Sequence, residues 1–125
     1  GILGLISLTT FAQVNVSTIL KKDYSWDKFS DSWKLEKEND ESRTFFVFNK
    51  DYTLVKHTTE SSTRAYIIKS KKHEKDPLKN QYTYLIVSDT GKEFMMYFDV
   101  KNKNIRVVDK KKHAIRYTIK GIWED

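Results

Sequence analysis

Three features of the sequence predict an all-β protein, an antiparallel up-and-down meander of about eight strands that closes as a barrel. Aromatic and β-branched residues recur in short runs, polar turn residues separate these runs by a few positions, and no long helical pattern interrupts them. Short connections make consecutive strands antiparallel neighbours, and closure removes the exposed edges of the sheet. A β-sandwich is the alternative arrangement.

The clearest element is a hairpin within residues 81–104. Two aromatic and β-branched runs, 82–87 and 94–100, flank the sequence Asp-Thr-Gly-Lys at 89–92, which is typical of a tight hairpin loop. A strand with one solvated face alternates apolar with polar residues, whereas both faces of these two strands are largely apolar. We therefore expect the hairpin to be covered on both sides, or to form a barrel wall that meets apolar groups outside.

The other strands are predicted from the same alternation and from turn signals. In chain order they span residues 33–37, 43–48, 52–58, 64–70, 104–108 and 113–119. Because the chain has four glycines and one proline, its turns must rely mainly on Asn, Asp, Lys and Ser. The longest irregular stretch is the basic connection 71–80, which contains Pro77.

The N-terminal region divides into two predicted parts. Residues 1–12 are uncharged and apolar and end in Thr-Phe-Ala, which predicts the remnant of a secretory signal peptide cleaved after Ala12. The protein is then exported, to the periplasm or the extracellular medium; a buried strand or helix is the alternative. Residues 13–32 are predicted to form an arm with a short helical turn, since Trp26, Phe29 and Trp33 are spaced by three and four. The barrel domain covers residues 33–125.

The composition excludes several classes of function. The 125 residues are 38% hydrophobic and 32% charged, which is typical of one globular domain. The absence of cysteine excludes disulfides, thiolate metal sites and a thiol nucleophile. The net charge of +6 comes without an arginine-rich run or a nucleic-acid motif, so no nucleic-acid partner is predicted. The apolar N-terminal run is too short for a transmembrane segment, and we expect a monomer.

The first predicted barrel strand begins at Trp33, which Asp31 and Ser32 precede. Here the chain resembles the lipocalin-like (calycin) β-barrels of small exported bacterial proteins, by architecture more than by motif. Those proteins carry a tryptophan in the position of Trp33 and a glycine where this chain has Asp31. The resemblance implies an eight-stranded barrel with Trp33 at its closed end. It also implies a basic side chain from the last strand packed over that tryptophan, with Arg116 as the candidate and Lys120 second.

The interior of the predicted barrel is the candidate binding site. A barrel of this size is just wide enough to fill with side chains or to hold one small ligand. A lumen lined by large apolar residues would bind a small apolar or aromatic ligand, which tyrosine hydroxyls would orient. The alternative is that these side chains interdigitate and leave no cavity. The candidate lumen residues are Phe46, Phe48, Leu54, Ile67, Tyr84, Ile86, Met96, Phe98, Ile105, Val107, Ile115 and Tyr117.

The three histidines raise the question of a metal or catalytic site. Alternating loops would place His57 and His113 at one end of the barrel and His73 at the other. Two histidines without carboxylates at a defined spacing are a weak metal signal, so we predict neither a metal nor a cofactor. No nucleophile elbow, glycine-rich phosphate loop or zincin helix occurs, and a protein without enzymatic activity is predicted.

Loop alternation also predicts a lysine-rich end of the barrel. Such an end would dock an anionic surface or a macromolecular partner, which gives the alternative function, an interaction module with a solid core. Lysines that only keep a β-protein soluble are the plainer interpretation. The candidate lysines are Lys69, Lys71, Lys72, Lys75, Lys101 and Lys103, with Lys50 and Lys79 at the same end.

Overall fold

Nine antiparallel strands make up most of residues 13–39 and 43–124, the part of the chain that the computed structural model describes. No helix occurs in these ranges, and so none that is long and apolar enough to cross a membrane. The strands are β1 (Val14–Asp27), β2 (Ser32–Asn39), β3 (Thr44–Phe48), β4 (Leu54–Thr58), β5 (Thr63–Asp76), β6 (Lys79–Ser88), β7 (Glu93–Asp99), β8 (Asn104–Asp109) and β9 (His113–Glu124).

The strand β1 closes the sheet into a barrel. From β3 to β9 every strand pairs with the next one along the chain, and β9 pairs with β1 from Val14↔Glu124 to Ser25↔His113. On its other side, β1 pairs with β3 through residues 14–18 and with β2 through residues 21–27. β2 and β3 therefore lie in line along one side of β1. The ring consists of eight strands, β1 and β3–β9, with β2 as an additional strand.

The all-β fold and the antiparallel closed barrel confirm the predicted fold class, but the helical turn is wrong. Residues 28–31 form a turn in which the Asp27 carboxylate accepts hydrogen bonds from Phe29 N (2.9 Å) and from Ser30 Oγ (3.0 Å). Tyr24 and Trp26 alternate along β1, and a two-residue period fits this segment as well as a helical one does. The predicted signal remnant, residues 1–12, lies outside the described residues.

The structure places most of the predicted N-terminal arm in the barrel wall. Residues 13–32 were expected outside the wall, yet β1 pairs along nearly its whole length with β9. The segment 33–37, predicted as the first barrel strand, belongs to β2, whose residues are all exposed. The connection predicted at 71–80 is mostly strand, because β5 continues to Asp76 and β6 starts at Lys79.

The central hairpin and the chemistry of the turns are confirmed. β6 and β7 pair from Gln81↔Asp99 to Val87↔Glu93, and Gly91 in their loop has a φ of 85°, which glycine adopts without strain. As in the turn after Asp27, a carboxylate or amide side chain at the start of four further turns accepts a backbone N–H from a residue that follows. These residues are Asn49, Asp76, Asp99 and Asp109.

The core consists of side chains that point into the barrel. Val16, Phe48, Val55 and Ile105 are fully buried, and Phe46, Ile86 and Met96 nearly so. Burial of such side chains is the main stabilising term, at about 1.5 to 3 kcal/mol for each one that is fully buried. The core therefore runs along the barrel axis, and every strand of the ring contributes to it or lies against it.

Two candidate lumen residues, Leu54 and Ile67, are on the wrong face. They are cross-strand partners, and their chain neighbours Val55 and Ile68 are the buried ones. Ile67 is 54% exposed. Successive residues of a strand point to opposite faces, so an error of one position moves a side chain from the core to the surface.

Candidate functional site

A cavity opens at one end of the barrel, which we call the mouth. It has a volume of about 390 Å³, and Thr59 from the β4–β5 loop, Lys92 from the β6–β7 loop and Asp109 at the end of β8 contribute to its lining. Its walls combine apolar and polar side chains. The apolar lining residues are Phe46, Ile86, Phe94, Met96, Val107 and Ile115.

The cavity is confined to the mouth because rings fill the barrel below it. The centroid of the Phe48 ring lies 5.4 Å from that of Tyr84 and 5.8 Å from that of Phe98. Tyr84 and Phe98 are buried, and Phe48 has no exposed surface. The interior is thus filled by rings below the cavity, and open space lies only at the mouth, where Phe46, Ile86 and Met96 are themselves nearly fully buried.

Cations surround the opening of the cavity. Lys21 from β1, Arg64 from β5 and Lys92 from the β6–β7 loop all line it, and none of them forms an ion pair within residues 13–39 and 43–124. The one carboxylate in the lining, Asp109, accepts hydrogen bonds from the backbone N–H groups of Lys111 (2.9 Å) and His113 (3.0 Å) in its own turn. The electrostatic potential at the opening is therefore positive.

His57 forms part of the cavity wall as a neutral ring. It stacks on Phe46 with a centroid distance of 4.2 Å and meets the edge of Tyr117 at 5.2 Å. Burial, with the nearby charges of Lys21 and Arg64, lowers its pKa to about 4. Its Nε2 atom is buried and has no hydrogen-bond partner among the described residues. A buried polar atom without a hydrogen bond costs free energy. A bound molecule that donated a hydrogen bond to Nε2, or accepted one from it, would remove this cost.

The ring of Tyr117, which also lines the cavity, lies next to the same histidine. It is 5% exposed, and burial raises the pKa of its hydroxyl well above the usual value. The phenol therefore remains protonated and able to donate a hydrogen bond at neutral pH. Together, the cavity offers apolar side chains, the tyrosines Tyr66 and Tyr117, one neutral imidazole and a cationic rim.

The structure divides the twelve predicted lumen residues into three groups. Phe46, Ile86, Met96, Val107, Ile115 and Tyr117 line the mouth cavity. Phe48, Tyr84, Phe98 and Ile105 belong to the buried core and do not line it. Leu54 and Ile67 lie on the other face of their strands, as described above.

Sequence reasoning missed the polar and aromatic members of this site. Tyr66 and Phe94 continue the inward alternation of β5 and β7 and could have been found from strand phase alone. Lys21 and Arg64 could not, because a lysine or arginine in a strand is ordinarily assigned to solvent. His57 was noted in the sequence only as a weak metal candidate.

The opposite end of the barrel carries a ladder of parallel rings. Tyr52 stacks on Tyr84 (centroids 6.5 Å apart), Tyr84 on Tyr82 (6.2 Å) and Tyr82 on His73 (3.9 Å). All four rings, together with Lys71 and Lys72, line a surface groove of about 330 Å³. The Tyr84 ring is buried. No group of three or more His, Cys, Asp or Glu side chains that could hold a metal ion occurs in the described part of the chain.

The structure brings some of the predicted lysines together at one end of the barrel. Lys101 Nζ donates to the carbonyl of Pro77 (2.9 Å) and Lys71 Nζ to that of Asp51 (2.9 Å), which ties three connections together at this end. Lys69 does not belong with them. The pKa of Glu93 near the mouth is lowered by its hydrogen bond and ion pair with Lys110, at 2.7 Å, and the charge of Lys69 adds to this effect.

Trp33 does not plug the barrel. It is 42% exposed on β2, and its ring meets that of Trp26 edge-on at 5.4 Å. Arg116 lies over Tyr24 instead, with its Cζ atom 5.5 Å from the ring centroid. The reason is topological: β1 occupies the place in the ring that was predicted for the strand of Trp33.

The comparisons with known proteins leave the chain without an assigned relative. No protein-family model matches it significantly, and neither does any curated protein or solved structure. The function must therefore be inferred from the geometry of the chain itself.

Proposed function

We propose that this protein is a lipocalin-like binding protein without enzymatic activity that takes a small apolar molecule bearing one anionic group. The apolar body would occupy the mouth cavity, and the anion would meet the cationic rim. The observation that carries this proposal is a cavity of about 390 Å³, lined in part by six apolar side chains, with three cations at its opening that lack ion-pair partners among the described residues.

The size of the cavity supports a small ligand. Ligand sites in proteins commonly have volumes of roughly 300 to 1,000 Å³ and apolar walls with a few polar groups that fix orientation. The mouth cavity is at the lower end of this range. Tyr117 and His57 are two of the polar groups that line it, and burial keeps His57 neutral at physiological pH by lowering its pKa to about 4.

The charges support an anion over a neutral ligand. Lys21 and Arg64 stand close enough to His57 to lower its pKa, so their fields overlap inside the cavity. Asp109 is the one carboxylate among the described lining residues, so it offsets only one of the three cations Lys21, Arg64 and Lys92. An anion placed between these cations would reduce their mutual repulsion, and the bound state would be favoured most at low ionic strength.

Calorimetric titration with decanoate and with 1-decanol tests the ligand class. We expect decanoate to bind and 1-decanol to bind more weakly, since only decanoate uses the rim. Val107→Trp, which fills the cavity, should abolish binding, whereas Ile67→Trp on the outer face should leave it unchanged. Equal binding by Val107→Trp and the unmodified protein would disprove the cavity site.

The rim is tested separately by removing one charge at a time. Lys21→Gln and Arg64→Gln should each weaken decanoate binding by about tenfold, in line with the loss of one charge-assisted hydrogen bond. The matched control is Lys120→Gln, because Lys120 is an exposed lysine at the other end of β9. If all three variants bind equally well, the rim does not select an anion.

A second candidate function is docking of an acidic polysaccharide at the lysine-rich end. The ring ladder favours it, since His73 and Tyr82 present flat faces beside Lys71 and Lys72. Retention on an immobilised heparin column that falls in the double variant Lys71→Glu with Lys72→Glu would support this function. Unchanged retention would contradict it.

A further inference from the structure

A second groove lies on the outside of the barrel wall, across β1, β2, β7, β8 and β9. Its volume is about 390 Å³, and it shares no lining residue with the mouth cavity. The residues that matter for its chemistry are Tyr24, Trp33, Tyr97, Arg106 and Arg116. It is thus a separate site, independent of the function proposed for the mouth.

Two arginines stand directly opposite each other in this groove. Arg106 on β8 and Arg116 on β9 are cross-strand partners. Like charges in this position destabilise a sheet. Neither guanidinium forms an ion pair with a carboxylate among the described residues. The folded protein therefore carries two adjacent guanidinium groups in a groove whose other lining residues are aromatic or apolar, and on β1 Arg116 faces Lys22, whose own charge is paired with Glu38 at 3.3 Å.

Arg106 is held in place but not satisfied. Its Nη2 atom donates to Gln81 Oε1 at 2.6 Å, while its Nε atom is buried and has no partner among the described residues. Its Cζ atom lies 5.0 Å from the centroid of the Tyr97 ring, as that of Arg116 lies 5.5 Å from Tyr24. The rings of Tyr97 and Tyr24 therefore orient the two guanidinium groups. In Arg106, the Nε–H donor is left without a hydrogen-bond partner among the described residues.

An exposed indole stands beside these charges. Trp33 is 42% exposed and is supported from one side by the edge contact with Trp26. Leu35, two residues further along β2, is 47% exposed. Large exposed apolar groups next to unpaired cations are typical of binding surfaces rather than of surfaces that serve only solubility.

We propose that this groove binds a phosphomonoester carried on a planar aromatic ring, with the phosphate between Arg106 and Arg116 and the ring against Trp33. A phosphate dianion offers three oxygens, which suit two guanidinium forks better than one carboxylate does. Its charge would neutralise both cations. A phosphorylated phenol and a nucleoside monophosphate share this chemistry.

Quenching of tryptophan fluorescence, checked by calorimetry, provides the test. The compounds are phenyl phosphate, adenosine monophosphate, inorganic phosphate and phenol. We expect both aromatic phosphates to bind more tightly than inorganic phosphate, and phenol to bind more weakly than either aromatic phosphate. Whichever binds more tightly, phenyl phosphate or adenosine monophosphate, shows whether the groove prefers a phosphorylated phenol or a nucleoside monophosphate. Absence of saturable binding, or equal affinity for inorganic and phenyl phosphate, would overturn the proposal.

Variants locate the site. Arg106→Gln and Arg116→Gln should each weaken binding of phenyl phosphate by about tenfold or more, and Trp33→Leu by about fivefold. Arg43→Gln, at an exposed arginine outside the groove, is the matched control. Arg116→Lys should bind phenyl phosphate more tightly than Arg116→Gln does, because lysine keeps the positive charge but lacks the planar guanidinium that can donate two parallel hydrogen bonds.

Thermal unfolding separates a binding role from a structural one. If the guanidinium pair serves binding, Arg116→Gln should unfold at the same or a higher temperature than the unmodified protein, since it removes the repulsion between partners. A lower unfolding temperature together with unchanged affinity for phenyl phosphate would show that Arg116 is structural and would overturn the proposal.

Discussion

At the scale of single residues, His57 shows how its surroundings set its chemistry. Its ring lies between Phe46 and Tyr117, and the charges of Lys21 and Arg64 add to the effect of burial. All of these factors disfavour the protonated form, so the folded protein holds a neutral imidazole. His57 therefore adds no charge to the wall of the cavity at neutral pH.

The low pKa of His57 predicts a loss of stability in acid. The unfolded chain takes up a proton near its ordinary pKa of 6.5, whereas the folded state does so only near pH 4. Stability contributed by the neutral ring is therefore complete above pH 6.5 and falls, by roughly 3 kcal/mol in total, as the pH drops to about 4. Urea unfolding at pH 7, 5.5 and 4.5 measures this loss.

The matched variant for that experiment is His57→Phe, which keeps a flat ring between the same neighbours. It should lose less stability between pH 7 and pH 4.5 than the unmodified protein, since all other titrating groups are common to both. Parallel pH profiles for the two proteins would show that His57 does not titrate as inferred.

The exposure of Trp33 predicts a small effect on stability. Trp33→Ala should lower the free energy of unfolding by less than about 1 kcal/mol, because the indole is a surface group. Phe48→Ala, at a fully buried ring, should cost about 3 to 5 kcal/mol. Chemical denaturation of both variants checks this contrast, and a loss for Trp33→Ala as large as that for Phe48→Ala would place the indole in the core.

At the scale of elements, β2 differs from every strand of the ring. All eight of its residues are exposed, and it pairs on one side only, with β1. Its pairing also shifts register at Asp23 and Tyr24 of β1. An edge strand of this kind depends on side-chain contacts such as that between Trp26 and Trp33 more than on a core.

We therefore expect β2 to open locally without unfolding of the barrel. Amide hydrogen exchange, followed by NMR, should show fast exchange across residues 32–39 and slow exchange in β6 and β7, which pair on both sides. Equal protection of β2 and β6 would mean that β2 unfolds only together with the whole domain.

At the scale of the whole molecule, closure joins the two ends of the described chain. β1 pairs with β9 so that Val14 lies opposite Glu124, and almost the entire sequence separates these partners. Contacts of such long separation must be formed against the entropy of a large loop. The barrel is therefore a fold of high contact order.

This topology predicts slow folding. By analogy with other β-barrels, refolding should take about milliseconds to seconds. Stopped-flow tryptophan fluorescence would measure the rate. Submillisecond refolding would indicate that the pairing of β1 with β9 is not part of the rate-limiting step.

The local pattern predicted much of the barrel. The hairpin of β6 and β7 with Gly91 in its loop, and the inward set that includes Phe46, Phe48 and Met96, follow from alternation and turn chemistry, which act over a few residues. Where two neighbouring residues of a strand are both apolar, alternation does not tell which of them faces the core. Leu54 and Val55 form such a pair, and Ile67 and Ile68 another.

By itself, then, the sequence determined that this chain forms consecutive antiparallel strands with an apolar inner face, because a period of two is a local property. Only the tertiary structure decided that β1 rather than the strand of Trp33 closes the ring, that Lys21 and Arg64 meet at one mouth, and that Arg106 stands opposite Arg116. The physical reason is that register and partner choice between strands depend on packing between distant segments, and no short stretch of sequence encodes that packing.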